Sequence, residues 1–184
     1  AQSQNTAVGY LAGARVSSGQ YNTFVGSEAG ALAAGTNGIT TGGNNTGVGA
    51  QCLGGTADAV GTGDNNTAFG AFAGMKIKGA GHSNTVIGAY AGDAITTGYE
   101  NVCIGQGAGG NFAAYNENTF IGRNAGSGSI TAGQCVAIGA STLTGAASIS
   151  GTVAVGYQSL SAVTSGAGNT AVGYLALLAN NAAG

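Results

Sequence analysis

A five-residue pattern, Asn-Thr-x-aliphatic-Gly, recurs ten times along the 184-residue chain, and this recurrence limits the fold more than any other feature. The copies are NTAVG at Asn5, NTFVG at Asn22, NTGVG at Asn45, NTAFG at Asn66, NTVIG at Asn84, NVCIG at Asn101, NTFIG at Asn118, CVAIG at Cys135, TVAVG at Thr152 and NTAVG at Asn169. Their closing glycines are Gly9, Gly26, Gly49, Gly70, Gly88, Gly105, Gly122, Gly139, Gly156 and Gly173, spaced by 17, 23, 21 and 18 residues and then by 17 five times. Seventeen residues is therefore the unit, and the three longer intervals, between Gly26 and Gly88, carry insertions. The first and last copies extend to eight identical residues, NTAVGYLA.

Within a unit the pattern alternates with period two, the signature of a strand with one buried face. The fourth motif position holds Val8, Val25, Val48, Phe69, Ile87, Ile104, Ile121, Ile138, Val155 and Val172. Stacked unit on unit, these predict a continuous buried aliphatic column, each side chain contributing roughly 1.5–3 kcal/mol before entropy. The second position, mostly Thr, shares that face and is read as inward. The glycine that follows suits a turn needing positive φ or close backbone approach. A small-residue and glycine pair comes next in most units, as in Ala29-Gly30 and Ala125-Gly126, then a short apolar stretch ending in polar residues such as Val16-Ser17-Ser18-Gly19. Each unit thus reads strand, turn, strand, turn.

Seventeen residues are too few for two packed helices and too many for one strand, but they suit one coil of a parallel β-solenoid. Several glycines per unit, with Thr and Val in the periodic stretches, also disfavour helix. The expectation is an all-β parallel β-roll of about ten 17-residue coils, a single repeat domain over residues 1–184 with its insertion-bearing coils at about 27–88. Coils about 4.8 Å apart would make a rod on the order of 45 Å long. A thin rod has a narrow core and open ends, and no polar cap is visible at either end, so association is expected. The closing LALLANNAAG breaks off inside a motif, which reads as a segment of a longer fibre.

Composition removes other classes. The chain has no Pro, no Trp and 38 Gly, is only 5% charged, and is 43% hydrophobic. That aliphatic content argues against disorder, and the absence of proline and of a strict third-residue glycine period excludes collagen. A net charge of −2 without a basic cluster argues against nucleic-acid or anionic-membrane surfaces. No apolar run approaches the roughly 20 residues of a membrane span.

The units CVAIG, TVAVG and NVCIG resemble the Asn-Ser-Val-Ala-Ile-Gly signature of trimeric autotransporter adhesin heads, which are left-handed parallel β-rolls assembled as trimers. NTAVGYLAG, NTFVGSEAG and NTFIGRNAG are more similar still to repeats of bacteriophage tail fibres and related virion appendages. The resemblance covers essentially the whole chain; its unit is longer than the usual adhesin-head repeat, and no coiled-coil neck or membrane anchor accompanies it. It implies a homotrimeric fibre on a virion or cell surface, with itself, other fibre or tail proteins and a cell-surface glycan or receptor as partners. It implies no catalysis and no cofactor.

The residues that carry chemistry are sparse. His82, in the turn AGHSN, has no Cys, Asp or Glu close in sequence and reads as an exposed turn residue. Glu28, Asp58, Asp64, Asp93, Glu100 and Glu117 are scattered one per coil or fewer, so no carboxylate pair is placed for acid–base work. GQGAGG at Gly105 lacks the Gly-Lys-Ser/Thr ending of a phosphate loop. Cys103 and Cys135 lie two coils apart, roughly 9.6 Å along the axis, beyond the roughly 7 Å limit of a disulfide, and Cys52 is farther. The thiols therefore read as buried, with bonding across a threefold axis as the alternative. The insertions gather Asp58, Asp64, Lys76, Lys78 and His82 beside lengthened turns, the expected receptor-contact loops; the opposing reading is that turns tolerate insertion at about 0.6 kcal/mol per doubling. Tyr10, Tyr157 and Tyr174 follow turn glycines and suit sugar stacking or edge packing. Two other classes remain: an ice-binding threonine face over Thr6, Thr23, Thr46, Thr67, Thr85, Thr119 and Thr170, disfavoured by its inward reading, and a structural filament glycosylated at the sequons Asn44-Asn45-Thr46 and Asn65-Asn66-Thr67.

Overall fold

The computed structural model describes residues 4–31, 41–55, 63–131, 133–145 and 148–178. Each motif forms one three-residue strand: β1 (Thr6–Val8), β2 (Thr23–Val25), β3 (Thr46–Val48), β4 (Thr67–Phe69), β5 (Thr85–Ile87), β6 (Val102–Ile104), β7 (Thr119–Ile121), β8 (Val136–Ile138), β9 (Val153–Val155) and β10 (Thr170–Val172). The ten strands form one parallel sheet in chain order. Register follows the motif across insertions of any length, with Thr23 opposite Thr46, Phe24 opposite Gly47 and Val25 opposite Val48. The chain is a parallel β-solenoid, and no helix occurs among the described residues.

The second strand expected in each unit does not form. Opposite the sheet, the described residues make turns and coil-to-coil hydrogen bonds, such as Gly92 N–H to Ala108 O at 2.8 Å and Gly109 N–H to Ala125 O at 2.9 Å, with one isolated parallel bridge between Ser148 and Ser165. Residues two places after the turn glycine, such as Glu28, Gln51, Tyr90 and Asn124, lie earlier in the coil and in the left-handed region at φ between 53° and 58°, where they fold the chain away from the sheet.

The face assignment is also reversed. The residue at the centre of each strand, not its neighbours, points inward: Phe24, Ala68, Val86, Cys103, Phe120, Ala137 and Ala154 are fully buried. The flanking Thr and aliphatic positions are half-buried or exposed, as in Thr85 and Ile87 around Val86. The aliphatic column Val8 to Val172 is therefore outside the coil, and the core is built from the variable position. A coil of this circumference has little interior width, so it takes Ala and Gly readily and admits a large side chain only where another residue yields room.

That exchange is visible coil by coil. Where the strand centre is large, the second turn carries glycine: a Cβ at Gly30 would lie 2.6 Å from the Phe24 ring, one at Gly92 2.6 Å from Val86, and one at Gly126 2.5 Å from Phe120. Where the strand centre is Gly47, Ala137 or Ala154, the corresponding turn residue is the buried Leu53, Leu143 or Leu160. Ile95, Phe112, Ile130, Ile149 and Val163 close the core from the far side.

Two features fix the stack. The closing glycines all have φ between 127° and 136°, and at Gly88 a Cβ would lie 2.7 Å from the carbonyl of Gly105 in the next coil, so only glycine fits. The leading asparagines form a buried ladder. The Asn84 Nδ2 donates to Asn66 Oδ1 at 3.0 Å and to Gly98 O at 2.9 Å, while its Oδ1 accepts from the Asn101 backbone N–H at 3.1 Å and Asn101 Nδ2 at 3.0 Å. The same arrangement links Asn22, Asn45, Asn66, Asn101 and Asn118. Every side-chain amide thereby closes a loop of backbone and bridges two coils, which satisfies groups that would be costly to bury unpaired.

Candidate interaction surface

The outward positions of the ten strands make the most distinctive surface. One column holds Thr6, Thr23, Thr46, Thr67, Thr85 and Thr119, then Thr170, with Val102, Val136 and Val153 substituting; the other is the aliphatic column. No ionisable group occurs at these twenty positions. Phe69 is 45% exposed, Ile87 39% and Ile138 38%, although each lies inside the stack rather than at its end. Nine strand-to-strand steps at about 4.8 Å make a strip roughly 43 Å long and two side chains wide. The strip thus pairs an aliphatic column with a Thr-rich one, both free of charge.

Beside the strip, the turns carry aromatic residues. Phe72 and Tyr90 stack at 4.9 Å and 12°, and Tyr157 and Tyr174 at 5.5 Å and 14°. Tyr10 is exposed on the first coil, remote in the stack from Tyr157 and Tyr174 on the last two, so the three tyrosines do not form one platform.

The insertion residues do not converge as one knob. Asp58 lies outside the described residues. The Asp64 carboxylate accepts from the Gly43 backbone N–H of the preceding coil at 2.7 Å and so ties two coils together, and Ser83 N–H donates to Asp64 O at 3.0 Å. His82 occupies the next place on that corner, stacked on Tyr99 at 4.9 Å and 9°, with Nδ1 3.2 Å from Ser83 Oγ. It is thus a packed corner residue rather than a free turn side chain. Lys78 lies across the coil, its backbone N–H bonded to Thr96 O at 2.8 Å, and Lys76 faces Asp93. Burial raises the Asp93 carboxyl above its usual range, an effect that Lys76 partly offsets.

The three thiols are free and buried, and Cys103 points into the core from the centre of β6. Burial pushes Cys52 up to about 12 and raises Cys103 and Cys135 as well, which holds them as thiols rather than as nucleophiles or metal ligands. These side chains point into their own coil, and nothing in the geometry favours bonding to a second chain across an axis. At the two sequons the acceptor residues Asn44 and Asn65 are exposed, whereas the neighbouring Asn45 and Asn66 are ladder members.

The asparagine ladder and the outward strip were both missed as functional elements. The signal for the first was present: a polar residue kept at the head of eight of ten motifs while its neighbours vary. The chain matches no known family model, no curated protein and no solved structure. The described residues contain no helix long and apolar enough to cross a membrane and no cluster of three side chains able to hold a metal ion.

Proposed function

We propose that this solenoid is a non-catalytic segment of a homotrimeric fibre, a rigid spacer of a viral tail or surface appendage that also carries contacts for host attachment. The outward Thr and aliphatic strip carries the reading. It is uncharged, repeats in register with the coils, and remains partly exposed along its length among the described residues. Packing copies side by side along it removes the strip from water while leaving the opposite corners free for a receptor. A stable interface buries about 800 Å² per partner, which a strip about 43 Å long reaches at a width of about 20 Å, so turn residues such as Tyr157 must join it. The sequence resemblance to tail-fibre repeats adds weight for the virion; the adhesin head of a bacterial surface, or a glycosylated extracellular filament, uses the same assembly. The test is the pair Ile87→Lys and Ile104→Lys, which places charge in the centre of the strip. Light scattering should show trimers for the parent chain and smaller species for the double variant, with β-type far-ultraviolet spectra in both. A parent chain that scatters as a monomer contradicts the proposal.

The outward Thr column favours a second reading, binding to ice through a flat, regular face, since the inward orientation that disfavoured it is overturned. Phe69, whose bulk stands in the aliphatic column, interrupts the flatness. Thermal hysteresis of the parent chain, abolished by Thr67→Tyr and Thr85→Tyr, would support this reading over a fibre.

A further inference from the structure

The corner that leads into each strand carries one column of residues that is aromatic and polar over several coils. His82 and Tyr99 are stacked in it, and Asn116 follows, its Oδ1 accepting from the Tyr99 backbone N–H at 3.1 Å. The next member is Gly133, and Gly151 N–H bonds to its carbonyl at 3.3 Å, just as Gln134 N–H bonds to Asn116 O at 3.1 Å. Because Gly133 has no side chain, the column is interrupted and leaves an open notch of about 190 Å³ lined by Tyr115, Asn116, Glu117, Gly133, Gln134 and Ser150.

The lining has a definite chemistry. Tyr115 lines the notch and is half-buried, held in place by packing against the core. Gln134 Nε2 donates to Glu117 Oε2 at 3.0 Å and orients that carboxylate, which retains capacity for further donors. Asn116 contributes an amide and Ser150 an exposed hydroxyl. A tyrosine beside acceptors and donors at close spacing suits a pyranose ring, which has one apolar face and an equator of hydroxyls. The volume is below the roughly 300–1,000 Å³ of pockets for drug-sized ligands and fits a single ring. One carboxylate does not make a cation site, and the described residues hold no metal-ligating cluster. Glu117 in the wall, Glu100 in the same position of the preceding coil and the absence of Lys or Arg from the lining oppose an anionic sugar.

We propose that this notch is a binding subsite for a neutral hexopyranose or N-acetylhexosamine residue of a surface oligosaccharide. The proposal rests on the attachment role above and assigns it a place distinct from the insertion loops. The test titrates the 184-residue chain with N-acetylglucosamine, galactose and sialic acid, read by saturation-transfer difference NMR, and with a neutral tetrasaccharide ending in N-acetylglucosamine or galactose, read by calorimetry. The variants are Glu117→Gln and Ser150→Trp, the latter filling the notch from an exposed position; Glu28→Gln is the control, since Glu28 is bonded to Gln51 in a similar pair several coils away. Neutral sugar should bind the parent chain and the control alike, lose at least tenfold in affinity with either notch variant, and exceed sialic acid. Equal binding in parent and notch variants, binding of sialic acid alone, or no binding of neutral sugar overturns the notch. If the chain still adheres to cells in the last case, attachment survives without it; if adhesion is also absent, both fail.

Discussion

The coils headed by Asn22 to Asn118, three of them lengthened by insertions, and the 17-residue coils headed by Cys135 and Thr152 share one strand register, yet their polar spines differ. In the first group the interior asparagines Asn45, Asn66, Asn84 and Asn101 each make two coil-to-coil side-chain bonds, Asn22 and Asn118 make one, and each caps the next backbone N–H. In the second, Cys135 Sγ turns to Ile149 O at 2.7 Å, and Thr152 Oγ1 is buried without a hydrogen-bond partner. The comparison teaches that the backbone stack and the amide ladder are separable. Seventeen-residue spacing and the turn glycine suffice for register; the ladder adds satisfaction and stiffness where it is present.

The largest effect should come from breaking the ladder in its interior. Asn84→Ala removes one of the two donors to Asn66 Oδ1, the donor to Gly98 O and the acceptor shared by the Asn101 backbone N–H and Nδ2, and should cost about 3 kcal/mol in chemical denaturation, since each buried group left unpaired costs about 1–3 kcal/mol. Phe120→Ala should fall in the same range, about 3–5 kcal/mol, because the glycine at 126 leaves a cavity that no neighbour fills. A smaller and opposite effect is expected in the other region. Thr152→Val removes the orphan hydroxyl at nearly constant shape and should stabilise by about 1 kcal/mol, raising the denaturation midpoint. Equal sensitivity of Asn84 and Thr152 would show that the ladder adds nothing.

The smallest effect concerns Asp93. Its carboxyl is raised in the folded chain, so the folded state binds the proton more tightly than the unfolded state, and stability should rise as pH falls from neutral through the raised value toward the ordinary 3.8. Asp93→Asn should raise the midpoint slightly at pH 7 and flatten that slope; a midpoint that falls as pH is lowered over this window contradicts the assignment.

Much of the fold was legible because the repeat is a direct image of the stack: the glycine positions marked all ten strands, and insertions left register untouched. The face was not legible. A three-residue strand offers only two choices, and an unbroken column of Val, Ile and Phe beside a centre that varies from Gly to Phe reads as the core. The compensation between Phe24 and Gly30, or Gly47 and Leu53, is what reveals the interior, and it links residues that sit on opposite walls of a coil. The far wall was over-read as strand since an apolar residue followed by Ser or Thr, as at Val16 and Ile95, suits an irregular wall as well as a strand. The site followed the same course: Asp64, Lys76, Lys78 and His82 were conspicuous by charge, whereas the strip consists of residues that looked internal.

The central claim is that the outward strip joins copies of the chain. Sedimentation equilibrium of the 184-residue chain at micromolar concentration tests it most directly: the account predicts a single species of three times the chain mass, persisting in moderate denaturant. A stable species of one chain mass, with the strip exposed to water, would contradict it.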